Sequence, residues 1–395
     1  AEGKIDLYPR NKPTMEWDIA AGHSILKAAG GNIFSESGMQ IQYGKTNFKN
    51  KNFLAVGKIT QRLPSFFLMS LDQLNQVKYK QDLNLAVKAI KDKKLVVFPT
   101  ETVYGIGAIG NSEIAINAIY SAKQRPYNNP LIAHTYNKHE AEKIVLFTKI
   151  AHLLTDQFWP GPLTIILQIK KNNLSNILSQ GSQTLAVRVP SHPVALDLLE
   201  KVNTPILAPS ANKSGGVSPT SAKHARDDFG PHYKGKSWVL EKILDYGVCE
   251  VGIESTVVDC RGKSPIILRH GAITETMISN ATNTKALTLN KTEELISPGL
   301  LKSHYAPNAK VLLNQKNIIT DSGWLTFGKI PKSLQKQENM FNLSLDGNLI
   351  QAGELLYSGL RFLDSSGVKV IQVMTIPKIG IGIAINDRLT RASSE

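Results

Sequence analysis

The sequence predicts an α/β protein, and three observations carry the prediction. Between about residues 82 and 300, short apolar β-branched runs alternate with segments of helical spacing, the pattern of a twisted, mixed sheet covered by helices. After a break, residues 309–395 repeat that alternation on a smaller scale. The densest polar stretches lie in the loops between the runs, which is where α/β folds build their sites.

At 395 residues the chain is long enough for two or three domains. A hydrophobic content of 42% and a charged content of 20% are those of an ordinary folded protein. Lysine and arginine number 46 against 32 acidic residues, a formal charge of +14. Such charge suits a polyanion, either a nucleotide or RNA, although lysines spread over solvated faces would give the same sum. No run reaches the roughly 20 apolar residues of a membrane span, and the N-terminus, AEGKIDLYPR, lacks the apolar core of a secretory signal. The chain opens without an initiator Met and reads as a fragment or a processed form. Cys249 and Cys260 fit neither a metal spacing nor a disulfide framework, so the expected location is cytoplasmic, with no membrane partner.

Residues 1–57 read as a small unit, with a helix at about 19–29 closed by Gly30 and Gly31 and strands at 32–34 and 39–43. Residues 58–81 have no strong period and read as a linker. A short amphipathic helix begins at Asp82 and feeds the strand Leu95–Phe98. Pro99 ends that strand, and Thr100, Glu101 and Thr102 lead to a turn through Tyr104, Gly105 and Gly107. Ser112 caps a helix with Ala115, Ile116, Ile119 and Tyr120 on its apolar face; it runs out at Lys123-Gln-Arg125 and is stopped by Pro126.

A second apolar run ends at His134. Further strands are expected at 163–169, 184–189, 206–208, 255–259 and 266–269, and helices at 138–144, 151–158, 193–199 and 221–227. Strands at 311–313, 324–327 and 368–376 with helices at 349–364 and 384–392 suggest a small, open, Rossmann-like α/β domain. Gly380-Ile-Gly382-Ile-Ala384 has the spacing of a dinucleotide-binding turn. It follows the last strand rather than the first, and no acidic residue lies at the right distance, so a packing role is favoured.

Lys123 and Arg125 alone would be a solvated helix end, worth under about 1 kcal/mol with the helix dipole. Their company changes that. The rigid turn from Phe158 through Pro160, Gly161 and Pro162 presents the Thr164 hydroxyl at a strand start. Arg188 lies in an apolar strand and needs a partner, for which a bidentate carboxylate is the natural choice. Residues 208–220 pack Ser210, Ser214, Ser218, Thr220, Asn212 and two glycines into one loop. Such a loop can offer N–H groups and hydroxyls to phosphate, or can serve as a plain surface connection. Ser255 and Thr256 place hydroxyls at another strand start, and Arg269 follows in ILRHG. The nine histidines form no metal-binding pattern, and neither a GxSxG elbow nor a carboxylate pair stands out. Cations and hydroxyls without a protein nucleophile suit nucleotidyl transfer, where positioning and charge neutralisation do most of the catalysis.

In order along the chain come FPTETVYG (98–105), Lys123-x-Arg125 with NPLIAH (129–134), WPGPLT (159–164), VRVP (187–190), APSAN (208–212) with SPTS (218–221), VGIESTVVD (251–259) and LRHG (268–271). Through these motifs residues 73–300 resemble the YrdC-like family of L-threonylcarbamoyladenylate synthases. SPGLLKSHYAP (297–307) resembles the interdomain linker of the family's two-domain form, and GIGIAINDRLTRAS (380–393) resembles the end of its C-terminal domain. The chain then divides into an N-terminal unit at 1–57, a linker at 58–81, a YrdC-like catalytic domain at 82–300, an interdomain linker at 301–308 and a C-terminal α/β domain at 309–395. His270 stands where the family usually has Pro.

The resemblance implies that L-threonine, bicarbonate and ATP give threonylcarbamoyl-AMP and pyrophosphate. A downstream tRNA threonylcarbamoyl transferase would pass the group to a tRNA adenosine beside the anticodon. Thr100, His134, Arg188 and Ser255 would surround L-threonine. Lys123, Arg125, Thr164, Ser210, Asn212, Ser218 and Arg269 would line the ATP side, with Lys123 and Arg125 as the catalytic cations and Tyr305 closing over the pocket. Magnesium (Mg2+) would travel with ATP, bound mainly by its phosphates. A YrdC-like protein that binds RNA without catalysis is the alternative that the +14 charge supports.

PTMEWDIAAGHSILKAAGG (13–31) resembles the C-terminal end of the inositol-monophosphatase-like family, especially the 3'(2'),5'-bisphosphate nucleotidases. There the Asp of the WD pair, here Asp18, is a magnesium ligand. One carboxylate cannot hold the metals of a phosphatase, and the family's acidic motif is absent. Residues 1–57 therefore read as a short remnant without phosphatase activity, with Asp18 as a helix cap.

Overall fold

The computed structural model describes residues 7–10, 14–35, 41, 43–44, 47–50, 53–56, 65–230, 238–288, 305–315, 319, 322–334 and 337–393. The chain falls into two compact units, Ala1–Asp82 and Leu83–Glu395.

In the first unit the helix Glu16–Ala28 packs Ile19 against Ile33 and Phe53. Phe53–Val56 is the middle strand of an antiparallel sheet with Leu7–Arg10 and Asn32–Ser35 on either side. The Asp18 carboxylate accepts the Met15 N–H at 2.8 Å, reaching back to the residue that opens the helix. That is the capping role expected of it. The strand expected at 39–43 lies mostly outside the described residues.

The segment expected as a linker is helical from Ser65, in one helix that runs Ser65–Lys91. The helix expected to begin at Asp82 is its final part. Its 27 residues contain neither Gly nor Pro, so nothing stops the helix even where its apolar residues keep no single face.

Ten strands of the second unit form one sheet, in the order Leu240–Ile243, Leu95–Phe98, Gly105–Ile109, Ile206–Leu207, Ile132–His134, Thr184–Arg188, Leu163–Gln168, Thr256–Asp259, Ile266–Arg269, Leu287–Thr288. Parallel and antiparallel pairs alternate irregularly, so the sheet is mixed as expected. Ser112 caps the helix Glu113–Lys123 by accepting the Ala115 N–H, and Gln124 closes it at φ 55°.

The turn expected at Gly105 and Gly107 is instead the strand Gly105–Ile109. A β-carbon on Gly107 would lie 2.7 Å from both Ile206 and Phe98, so this glycine lets neighbouring side chains close over the strand. The helices Asn173–Ser179 and Glu275–Thr282 and the strand Leu240–Ile243 were also not expected.

Toward the C-terminus four parallel strands are ordered Lys310–Leu312, Val370–Val373, Ser322–Thr326, Met340–Asn342. The helices Leu349–Ser365 and Gly382–Ala392 accompany them. This is an open α/β arrangement, but its 1-4-2-3 order differs from the 3-2-1-4 order of dinucleotide-binding halves. A β-carbon on Gly382 would meet the Pro377 carbonyl at 2.1 Å, which supports the packing role for Gly382; Gly380 has open space around it and serves instead by its φ of 53°.

One apolar core joins the two α/β regions: Val103, Val217 and Ile253 share it with Leu356, Leu360 and Ile385. Among the described residues no helix is long and apolar enough to cross a membrane.

Candidate active site

The mixed sheet gathers the expected residues at strand ends. His134 and Arg188 are the last residues of parallel neighbours and stand in register, so their side chains lie next to each other at the carboxyl ends of their strands. Thr100 follows Leu95–Phe98 by two residues, Ser255 precedes Thr256–Asp259, and Arg269 ends the strand beside it.

Between these ends lies a pocket of about 540 Å³, open solvent at its mouth included. Thr100, His134, Arg188, Ser255, Arg125, Ser210, Arg269 and Tyr305 all line it. The remaining expected residues, Lys123, Thr164, Asn212 and Ser218, do not line the pocket; they are buried behind it and bond the lining residues Ser210, Ser255 and Glu254.

Thr100 pins the turn after its strand. Its hydroxyl donates to the Val103 carbonyl at 2.6 Å and accepts the N–H groups of Thr102 and Val103. Arg188 finds a carboxylate, but through one oxygen rather than the bidentate pair expected: Nη2 donates to Glu101 Oε1 at 2.6 Å, while Glu101 Oε2 accepts the Ser191 N–H at 3.1 Å. Nη1 donates to the Thr102 hydroxyl at 2.9 Å and Nε to the Gly161 carbonyl at 3.3 Å. Glu101 was not among the expected site residues. Its signal was a lone carboxylate between two threonines directly after a buried strand. His134 donates from Nδ1 to the Ile132 carbonyl at 3.1 Å and meets Phe98 edge-on at 6.3 Å. Burial, and then the charge of Arg188, pull its pKa down to about 3, so the imidazole is neutral at ordinary pH.

Arg125 donates to the Asn129 carbonyl at 3.0 Å, the Asn129 side-chain oxygen at 2.6 Å and the Pro130 carbonyl at 2.9 Å. Burial lowers its pKa to about 10, which still leaves it a cation at neutral pH. The Lys123 ammonium donates to the carbonyls of Ser210 and Asn212, and so builds the loop that presents Ser210. Burial first, and Arg125 next, hold its pKa well below the usual lysine range. Asn212 ties the same loop through its amide, to the carbonyls of Lys213 and Gly216 at 2.8 Å each.

Arg269 donates to the carbonyl and the hydroxyl of Ser255, both at 3.1 Å, and that hydroxyl shares a 2.7 Å bond with Thr164. Ser218 donates to Glu254 Oε1 at 2.5 Å. Glu254, which unlike Glu101 lines the pocket, was not expected either; Tyr357 and Arg388 hold its other oxygen at 2.7 and 2.9 Å. Burial pushes its pKa up, but Arg388, Arg269 and the two hydroxyls outweigh it and bring the value down to about 2. The Tyr305 ring stacks on Tyr357 at 5.7 Å.

The wall thus offers cations, hydroxyls and one locked carboxylate, a set that can hold an amino acid and a polyphosphate in one cavity. Among the described residues no three His, Cys, Asp or Glu side chains group as metal ligands.

Residues 88–271 match the family model of the Sua5, YciO and YrdC proteins, described as telomere recombination. Residues 273–394 match the model described as threonylcarbamoyl-AMP synthase, C-terminal domain. Residues 1–63 match the inositol monophosphatase family, which supports the reading of the N-terminal unit as a remnant. The chain is 35% identical to the threonylcarbamoyl-AMP synthase of Pyrococcus abyssi, over 79% of its own length and 94% of the relative's. Identity is also 35% with that of Bacillus subtilis, over 78% and 92% of the two lengths. The crystal structure of P. abyssi Sua5 complexed with L-threonine matches with a TM-score of 0.70 and 33% identity, covering 79% of this chain and 94% of that one. With the motifs in order, both regions matched and the expected residues around one pocket, the chain belongs to the threonylcarbamoyl-AMP synthase family.

Proposed function

We propose that this chain is a cytoplasmic nucleotidyltransferase that converts L-threonine, bicarbonate and ATP into threonylcarbamoyl-AMP and pyrophosphate. The observation that supports it most is the single pocket that gathers Thr100, His134 and Arg188 with Arg125, Ser210 and Arg269. In this reading the first group, with Ser255, holds threonine. The second group, with Tyr305 as its cover, holds ATP; Lys123 and Asn212 keep the Ser210 loop in shape, Ser218 ties that loop to Glu254, and Thr164 holds the Ser255 hydroxyl.

Bicarbonate takes up a proton and loses water to give carbon dioxide; threonine's neutral amine adds to it and returns a proton, giving a carbamate. A carbamate oxygen then attacks the α-phosphorus, the bond to the β-phosphate oxygen breaks, and pyrophosphate leaves. Arg125, cationic at neutral pH, and Arg269 stabilise the charge that builds on the phosphates; no covalent enzyme intermediate is needed. A neutral His134 can contact threonine without competing as a cation for the phosphates. Magnesium would be held mainly by the ATP phosphates and would supply further charge neutralisation there, since the wall itself offers cations and hydroxyls. The adenylate then supplies a tRNA threonylcarbamoyl transferase.

Purified protein mixed with MgATP, L-threonine and bicarbonate is expected to release pyrophosphate in proportion to threonine. Release that ignores threonine, or RNA binding without any release, would overturn the proposal.

A further inference from the structure

The C-terminal motif at 380–393 contributes no residue to the pocket lining, yet it carries Arg388, a fully buried cation. Arg388 sits on the helix Gly382–Ala392 and reaches from there into the catalytic region. Its Nε donates to Glu254 Oε2 at 2.9 Å, and its Nη2 donates to the His270 carbonyl at 2.9 Å. Asp387 holds Nη1 at 2.7 Å, and Cζ stands 5.2 Å from the centre of the Tyr305 ring. Glu254 and Tyr305 line the pocket, and His270 directly follows the lining residue Arg269. One side chain of the C-terminal helix therefore touches the wall, the cover and the backbone that carries a wall cation.

Glu254 is the one acidic side chain among the described residues that line the pocket. A carboxylate repels a triphosphate in a shared cavity and competes with it for Arg269, unless something else binds that carboxylate. Ser218, Tyr357 and Arg388 bind it, and of these three only Arg388 brings a charge. Arg361 makes a separate tie between the same regions, donating to Asp228 at 2.6 Å and to the Val217 carbonyl at 2.5 Å, away from the lining.

We propose that Arg388 is a positioning residue for the nucleotide: it neutralises Glu254, turns it away from the phosphates and supports Tyr305 over the pocket. The C-terminal unit thereby takes part in ATP binding without touching ATP. This inference rests on the proposed use of the pocket for ATP.

The test compares Arg388→Met, Arg361→Met, Glu254→Gln and the Arg388→Met/Glu254→Gln pair. MgATP affinity is read by calorimetry without threonine or bicarbonate, threonine affinity separately, and folding by melting temperature. Arg388→Met is expected to weaken MgATP at least tenfold with threonine affinity changed less than threefold. Adding Glu254→Gln should recover most of that loss, because the uncompensated charge is gone. Arg361→Met should lower the melting temperature while MgATP affinity changes less than threefold. Equal effects of the Arg388 and Arg361 variants, or no recovery in the double variant, overturn the inference. If Arg388→Met does not fold, Arg388→Lys, which keeps the charge but not the fork, should weaken MgATP by less than tenfold and also be relieved by Glu254→Gln; absence of that relief overturns it as well. Wild type that binds MgATP but releases no threonine-dependent pyrophosphate removes the synthase proposal alone, and wild type that does not bind MgATP removes both.

Discussion

Arg188 and Arg125 line the same pocket, and the fold treats them in opposite ways. Arg188 closes a buried ion pair with Glu101 at 2.6 Å, whereas Arg125 is held by the oxygens of Asn129 and Pro130. A carbonyl oxygen fixes a guanidinium without cancelling its charge; a carboxylate fixes it and cancels the charge. Arg125 leaves its part of the pocket positive, and the charge of Arg188 is largely offset by Glu101. A zwitterionic amino acid suits the second environment and a polyphosphate suits the first.

The comparison breaks most visibly in stability. Arg188→Ala leaves the Glu101 carboxylate buried without its cation, at a cost of about 3–5 kcal/mol. Arg125→Ala strands only neutral oxygens and should cost about 1–3 kcal/mol. Urea midpoints of the two variants decide, and equal costs would mean that the difference in partners does not matter. In activity the order reverses in kind: Arg125→Ala should lower kcat/KM for ATP about 100-fold or more, the loss typical of a donor that stabilises developing charge. A loss under tenfold in pyrophosphate release would show that the charge of Arg125 is not what the reaction uses.

A smaller effect sharpens the comparison through pH. His134 is held near pKa 3 in the fold, below the 6.5 of an unperturbed ring, so the unfolded chain takes up a proton that the folded chain refuses. Its contribution is complete above pH 6.5 and is lost as the pH falls. Between pH 6.5 and pH 5 the loss is about 2 kcal/mol at one pKa unit per 1.36 kcal/mol. In denaturation, wild type should lose at least that much between the two pH values, because burial also holds His224 down, to about 4. His134→Asn should lose less by about His134's share; an unchanged drop would assign the pH dependence to the other groups. The smallest effect lies in the other unit. Asp18→Ala should cost about 1 kcal/mol of helix stability by removing the bond to the Met15 N–H, and should leave pyrophosphate release unchanged.

Much of this was legible along the chain. Strands such as Ile266–Arg269 and the capped helix Glu113–Lys123 are local patterns of apolar period and end signals, and they appear where those patterns place them. Gly105–Ile109 was not legible, because Gly107 looks like a turn residue until Phe98 and Ile206 close over it. Of the helix Ser65–Lys91 only the part from Asp82 was legible, since the residues before it keep no clean apolar face.

Among the site residues, hydroxyls and cations in short loops stood out by type. Which of them face the cavity depends on neighbours far along the chain: Lys123 is turned to the carbonyls of Ser210 and Asn212, and Ser218 to Glu254. By itself the sequence determined the α/β class, the order of the motifs and the chemical inventory of the pocket, because these depend on residue type and short-range spacing. Only the tertiary structure decided which charges are cancelled. Glu101 meets Arg188 across 87 positions and Glu254 meets Arg388 across 134. Pairing over such separations is set by how strands and helices pack, and the electrostatic character of a buried site follows from the pairing rather than from the composition.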